Sequence, residues 1–169
     1  MENKKPFRLS EVSVALKTVI TCYVGTLFLG YFFALVQVYN RTQFDLTQTL
    51  LYYRGAESGS GDESALTGPS FATLLSVAHV HTMSQPVMLA LLCFVFALTY
   101  VSQKAKVIFI LTAFLSSVAS NLAPWLIRYV SRDMVLVFPL SQMFLMLSFF
   151  IMAFVILYDA WRKSDVEEF

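Results

Sequence analysis

Four stretches of this chain are predominantly apolar for more than twenty residues each: about 14–38, 70–101, 106–129 and 134–161. That feature removes most folds. About 20 apolar residues at ~1.5 Å rise cross a hydrocarbon core of ~30 Å. Backbone inside lipid must satisfy its own hydrogen bonds, so runs of this kind are helices. The connections near 102–105 and 130–133 are short, which makes their flanking helices antiparallel neighbours. The expected fold is therefore all-α: a bundle of four transmembrane helices, up-down-up-down, forming one integral membrane domain over residues 1–169.

Composition agrees with a membrane setting. Hydrophobic residues make up 57% and charged ones 14%, against ~45–50% and ~25% in soluble proteins. Such an excess cannot be hidden inside a body of 169 residues. The net charge of +1 and the lack of any basic run exclude nucleic acid as a partner. Cys22 and Cys93 both lie in apolar runs, so neither a disulfide framework nor a Cys-x-x-Cys motif is present. The first apolar run is too long for a signal h-region of ~7–15 residues, and the expectation is an uncleaved first helix.

Basic residues set the expected orientation. Lys4, Lys5, Arg8, Lys17, Lys104, Lys106, Arg162 and Lys163 fall on one side, and Arg41, Arg54, Arg128 and Arg132 on the other. Both termini are therefore expected in the cytoplasm, with the connection 39–69 outside. Within it, Leu46, Leu50 and Tyr53 have helical spacing, Asp45 suits an N-cap and Gly55 a stop. This predicts a short outer helix on the membrane surface, followed by an acidic Gly/Ser linker at 56–64 and a second span capped by Ser70.

The polar residues of the spans gather in their outer halves. Gln37 lies on the first helix; His79, His81 and Gln85 on the second; Ser117, Ser120, Asn121 and Arg128 on the third; Ser141 and Gln142 on the fourth. Ser117, Asn121, Pro124 and Arg128 form one helical stripe. Small residues four apart on the third helix predict close packing and make it the expected most buried helix, and the apolar character of the fourth below Gln142 suggests lipid exposure. Pro86 cannot donate to the carbonyl of Thr82, which predicts a bend beside the histidines.

Histidine inside a span is a functional-site hypothesis by default. The candidate cofactor-binding set is His79, His81, Met83, Gln85, Asn121, Arg128 and Gln142. Residues two apart on a helix point ~200° apart, so His79 and His81 cannot both ligate one haem within a single bundle. Haem b with a His/Met pair, or with a second copy of the chain, stays open. So does copper at His79, His81, Met83 and Met88. The remaining alternatives are a quinone or lipid headgroup near His81 and Arg128, and histidines that only bridge helices. No carboxylate lies in the interior of a span, Asp159 being at the inner edge and Asp133 at the outer turn, and no enzymatic role is expected.

Tyr53-Arg54-Gly55, His79-Val80-His81 and the segment Ala123 to Tyr129 together resemble a group of uncharacterised small bacterial inner-membrane proteins. The resemblance implies a bacterial cytoplasmic membrane and carries no activity. The functional expectation is a small integral subunit of a larger respiratory or redox complex, its outer-leaflet histidine cluster meeting a partner or cofactor. The alternative is a free-standing haem b or copper carrier. Expected partners are other membrane-protein subunits and lipid, with a homo-oligomer also open.

Overall fold

The computed structural model describes residues 9–55 and 67–162. The predicted linker at 56–64 and the basic residues Lys4, Lys5, Arg8 and Lys163 lie outside them. The elements are α1 (Val14–Thr42), α2 (Leu46–Arg54), α3 (Phe71–Ala97), α4 (Gln103–Tyr129) and α5 (Val137–Trp161). Two short 3-10 turns, Leu9–Glu11 and Arg132–Leu136, precede α1 and α5. α1, α3, α4 and the segment Arg132–Trp161 are each long and apolar enough to cross a membrane.

The helix ends follow local chemistry. Ser13, Ser70 and Ser102 cap α1, α3 and α4, each hydroxyl accepting from the amide three residues on. Asp45 caps α2 by accepting from Gln48 N, and Gly55 stops it with φ 86°. α3 ends at Ala97, four residues earlier than expected. Lys106 donates to the carbonyl of Ala97 at 2.7 Å, where a cation suits the carbonyl end of a helix.

The four long helices alternate in direction. Trp161 Nε1 donates to Thr21 Oγ1 at 2.9 Å, joining the end of α5 to the start of α1. Tyr100 N donates to Asp159 Oδ2 at 3.2 Å at the same end. At the opposite end, which we call the loop side, Arg54 Nη1 donates to Ile127 O at 3.3 Å.

α5 is the centre of the bundle, which corrects two expectations: that it faces lipid, and that the third membrane helix, α4, is the most buried. It packs against α4, α3, α1 and the first 3-10 turn, and buries ten residues against seven on α4 and three on α1. An all-round apolar helix is as compatible with a core as with lipid. The missed signal was small residues seven apart, Ser141/Ser148 and Ala153/Ala160, all four buried.

Burial falls into two apolar clusters. The larger lies toward the termini and includes Leu92, Phe96, Phe149, Met152 and Ile156. The smaller lies at the loop side and includes Tyr53, Leu74, Ala123, Ile127 and Phe138.

Candidate functional site

Between the two clusters lies a layer of hydrogen-bonding side chains. Asn121 is tied to its own helix, its Nδ2 donating to Ser117 O at 2.9 Å. That bond fixes the amide orientation, so the same Nδ2 meets Gln85 of α3 as a donor, at 2.7 Å from Oε1. Ser117 Oγ donates to the same Oε1 at 3.0 Å. Gln85 is thereby held with its oxygen toward α4. Its Nε2 has no partner among the described residues, and neither has Asn121 Oδ1.

Both amides line a cavity of about 540 Å³, within the ~300–1,000 Å³ of small-molecule sites. α1 and α3 form its long walls, and α2, α4 and α5 close the rest. Tyr23 Oη, one turn below the α1 wall, donates to Met88 O at 2.6 Å and clips the two helices together. Above this clip, Ala34 and Gln37 of α1 and Val77, Val80 and Ser84 of α3 line the cavity, and all five are exposed. The cavity therefore opens sideways between α1 and α3, where lipid surrounds a membrane protein.

Among the other polar lining residues, Thr26, Thr42, Ser84 and Ser120 are each bonded to a backbone carbonyl, but others are not. Gln37, His81 and Gln142 face the cavity and make no hydrogen bond among the described residues. The hydroxyl of Tyr31 is buried in the wall without a partner, its ring stacked on Phe149 at 4.6 Å. Arg41 sits at the rim, 5.7 Å from the centre of the Tyr52 ring. Tyr53 beside it is held neutral: burial first, then neighbouring Tyr52, pushes its pKa up to about 12 against the pull of Arg41.

The predicted site residues divide cleanly. Gln85, Asn121 and Gln142 come together at the cavity, joined by His81 and Met88. His79 and Met83, one turn apart on α3, are exposed and lie outside the lining. The four proposed metal ligands are thus split between two faces of α3, as the ~200° separation of alternate residues requires. No group of three or more His, Cys, Asp or Glu able to hold a metal occurs among the described residues.

Arg128 is placed differently from the expectation. Its Nη1 donates to Tyr53 O at 2.8 Å and to Arg54 O at 3.4 Å, so it caps the end of α2 instead of lining the cavity. Gly68 packs over this joint. A Cβ there would stand 2.5 Å from Tyr53 O and collide with Arg128 Nη1, so only glycine lets the chain pass. Sequence reasoning missed Tyr31, Arg41 and Trp125 as lining residues. Their aromatic or interfacial character gave no reason to separate them from ordinary membrane anchors.

A transmembrane helical domain family, Aq_1264_TM, matches residues 43–167. The chain belongs to this family. The match takes in α2 to α5 and hence four of the five helices that line the cavity, while α1, its remaining wall, lies before it. No curated protein and no solved structure matches the chain.

Proposed function

We propose that this chain is a membrane-embedded binding domain: its cavity holds the polar head of a lipid-soluble molecule, whose tail leaves between α1 and α3. One observation carries the reading. Fixed amide groups with unused hydrogen-bonding capacity line an open space at membrane depth. Leaving such groups unpaired away from water costs ~1–3 kcal/mol each, and a polar head entering from the bilayer would recover it. The donor set favours an organic head over a metal centre, because only one imidazole and one thioether of the four candidates, His81 and Met88, face the cavity.

The test uses two glycines of α1. A Cβ at either Gly25 or Gly30 meets nothing within 4 Å, but only Gly30 lines the cavity. Wild type and Gly25→Phe, purified in mild detergent and extracted, should yield one amphiphile in stoichiometric amount by mass spectrometry. Gly30→Phe should yield none. Retention of the molecule by Gly30→Phe, or no enriched molecule in wild type, removes the reading.

A second reading, compatible with the first, is that the domain works as a subunit of a larger assembly. It is favoured by α1, which buries only Ile20, Val24 and Thr42 while Leu29, Phe32 and Phe33 stay exposed. A photoreactive side chain at Phe33 in native membranes should give a discrete protein adduct. Lipid adducts alone would reject the assembly. The excess of basic residues at the terminal side supports an orientation with both termini on the cytoplasmic side.

A further inference from the structure

The lining limits the chemistry of the head as well as its presence. Resting on the cavity as an amphiphile site, we infer that the head it takes is a neutral, flat ring bearing carbonyl groups: the chemistry of a quinone on an isoprenoid tail.

Three features lead there. The first is hydrogen-bond polarity. The bond from Asn121 Nδ2 to Ser117 O orients the whole network, so the free group that Gln85 offers is its Nε2 donor. The uncommitted amide of Gln142 supplies a second donor from the α5 wall. Two donors on separate walls suit a head with carbonyl oxygens on opposite edges of a ring.

The second feature is charge and depth. Asn121 lies eight residues before the end of α4, ~12 Å below it by helical rise. Among the described residues, no lysine or arginine lines the cavity at that level. Arg41, the one such cation in the lining, sits one residue from the end of α1. A phosphorylated head would stay at Arg41 and leave the Gln85 Nε2 donor facing acyl chains. A neutral carbonyl head can descend to that donor without a counter-charge.

The third is shape. Tyr31, Tyr53, Trp125, Phe138 and Phe149 all contribute to the lining. Aromatic walls favour a planar ring, which can stack or meet them edge to face. The cavity volume of about 540 Å³ leaves room for a ring and the first part of an apolar tail.

Trp125 lines the cavity and makes the test direct, since the protein has only two tryptophans. The other, Trp161, lies at the far end and is replaced by Phe, leaving Trp125 as reporter. The full chain in phosphatidylcholine nanodiscs is titrated with short-tailed ubiquinone and menaquinone. At least one should quench Trp125 saturably. Gln85→Met and Gln142→Leu should each weaken binding about tenfold, Gly30→Phe should abolish it, and Gly25→Phe should leave it intact. Gln142 makes no hydrogen bond to another described residue, so its variant reports even where Gln85→Met fails to fold. Linear quenching that is equal in all variants overturns the inference. Displacement of the quinone by phosphatidylglycerol also overturns it, in favour of an anionic head. Should Gly30→Phe lose its co-purifying amphiphile while no quinone saturates, the ring assignment falls and the cavity reading stands. Should Gly30→Phe keep both, the two fall together.

Discussion

The two ends of the bundle solve the same problem by opposite means. At the terminal end, apolar side chains fill the space between helices, with Phe96, Met152 and Ile156 fully buried. Several polar groups there are paired, Lys17 with Ser10 O, Lys106 with Ala97 O and Trp161 with Thr21. Asp159, 1% exposed, receives Tyr100 N on one oxygen and faces Arg162 Nε at 3.1 Å on the other. At the loop end the helices stand apart around a cavity, and amides with spare capacity replace apolar filling. Lipid tails are as apolar as leucine, so burying leucine gives no drive to bring membrane helices together; packing contacts and interhelical hydrogen bonds do. The terminal end relies on the first, the loop end on the second. A bundle that needed only to hold together would have no reason to leave one end open.

This contrast predicts unequal responses to core truncation. Phe96→Ala should cost ~3–5 kcal/mol, the usual range for a buried Phe whose site cannot collapse. Phe138→Ala at the loop end should cost less than half of that, because Phe138 already borders a void. Reversible unfolding in mixed micelles measures both. Equal losses would mean that the loop end is packed as tightly as the other, and the contrast would vanish.

A smaller effect separates structural from binding roles in the polar layer. Asn121→Leu removes one donor to Gln85 and leaves Gln85 Oε1 with Ser117 Oγ alone. Interhelical hydrogen bonds in membranes average ~0.6 kcal/mol, so a loss of about 1 kcal/mol is expected. Combining it with Gln85→Leu should cost less than the sum of the two single losses, since both break one network. His81→Leu should leave stability within about 0.5 kcal/mol, because its imidazole makes no bond to a described residue. A large loss for His81→Leu would return the histidine to a bridging role.

What the sequence made legible follows from which signals are local. Helix caps at Ser70, Asp45 and Gly55 are written in single residues and their neighbours, and all three stand where they were expected. The Ser117/Asn121 stripe fixed one face of α4 toward α3, because a polar stripe in lipid has only one place to go. The central place of α5 was not legible in the same way. Its polar content below Gln142 is confined to Ser148 and the final turn, and hydropathy alone does not distinguish a lipid-facing apolar helix from a buried one. Arg128 was misread for a third reason. Its partners are the carbonyls of Tyr53 and Arg54, about 75 residues away in sequence, and backbone acceptors leave no mark in side-chain patterns.

The finest division between the two ends runs along α1 itself. Gly25 and Gly30 both lie inside the helix, and neither is held to glycine by a neighbouring atom. Glycine in a helix interior costs ~0.5–1 kcal/mol relative to alanine, through backbone freedom lost on ordering. Gly25→Ala, away from the cavity, should recover about that amount with no other consequence. Gly30→Ala should gain the same stability while placing a methyl group in the lining, and should weaken ligand retention in the extraction assay. If Gly30→Ala gains stability and holds its ligand as wild type does, the glycine is not there for access. If it loses both, α1 closes on the cavity more tightly than its open wall implies. A gain in stability set against a loss in binding is the signature of a position kept empty for an occupant.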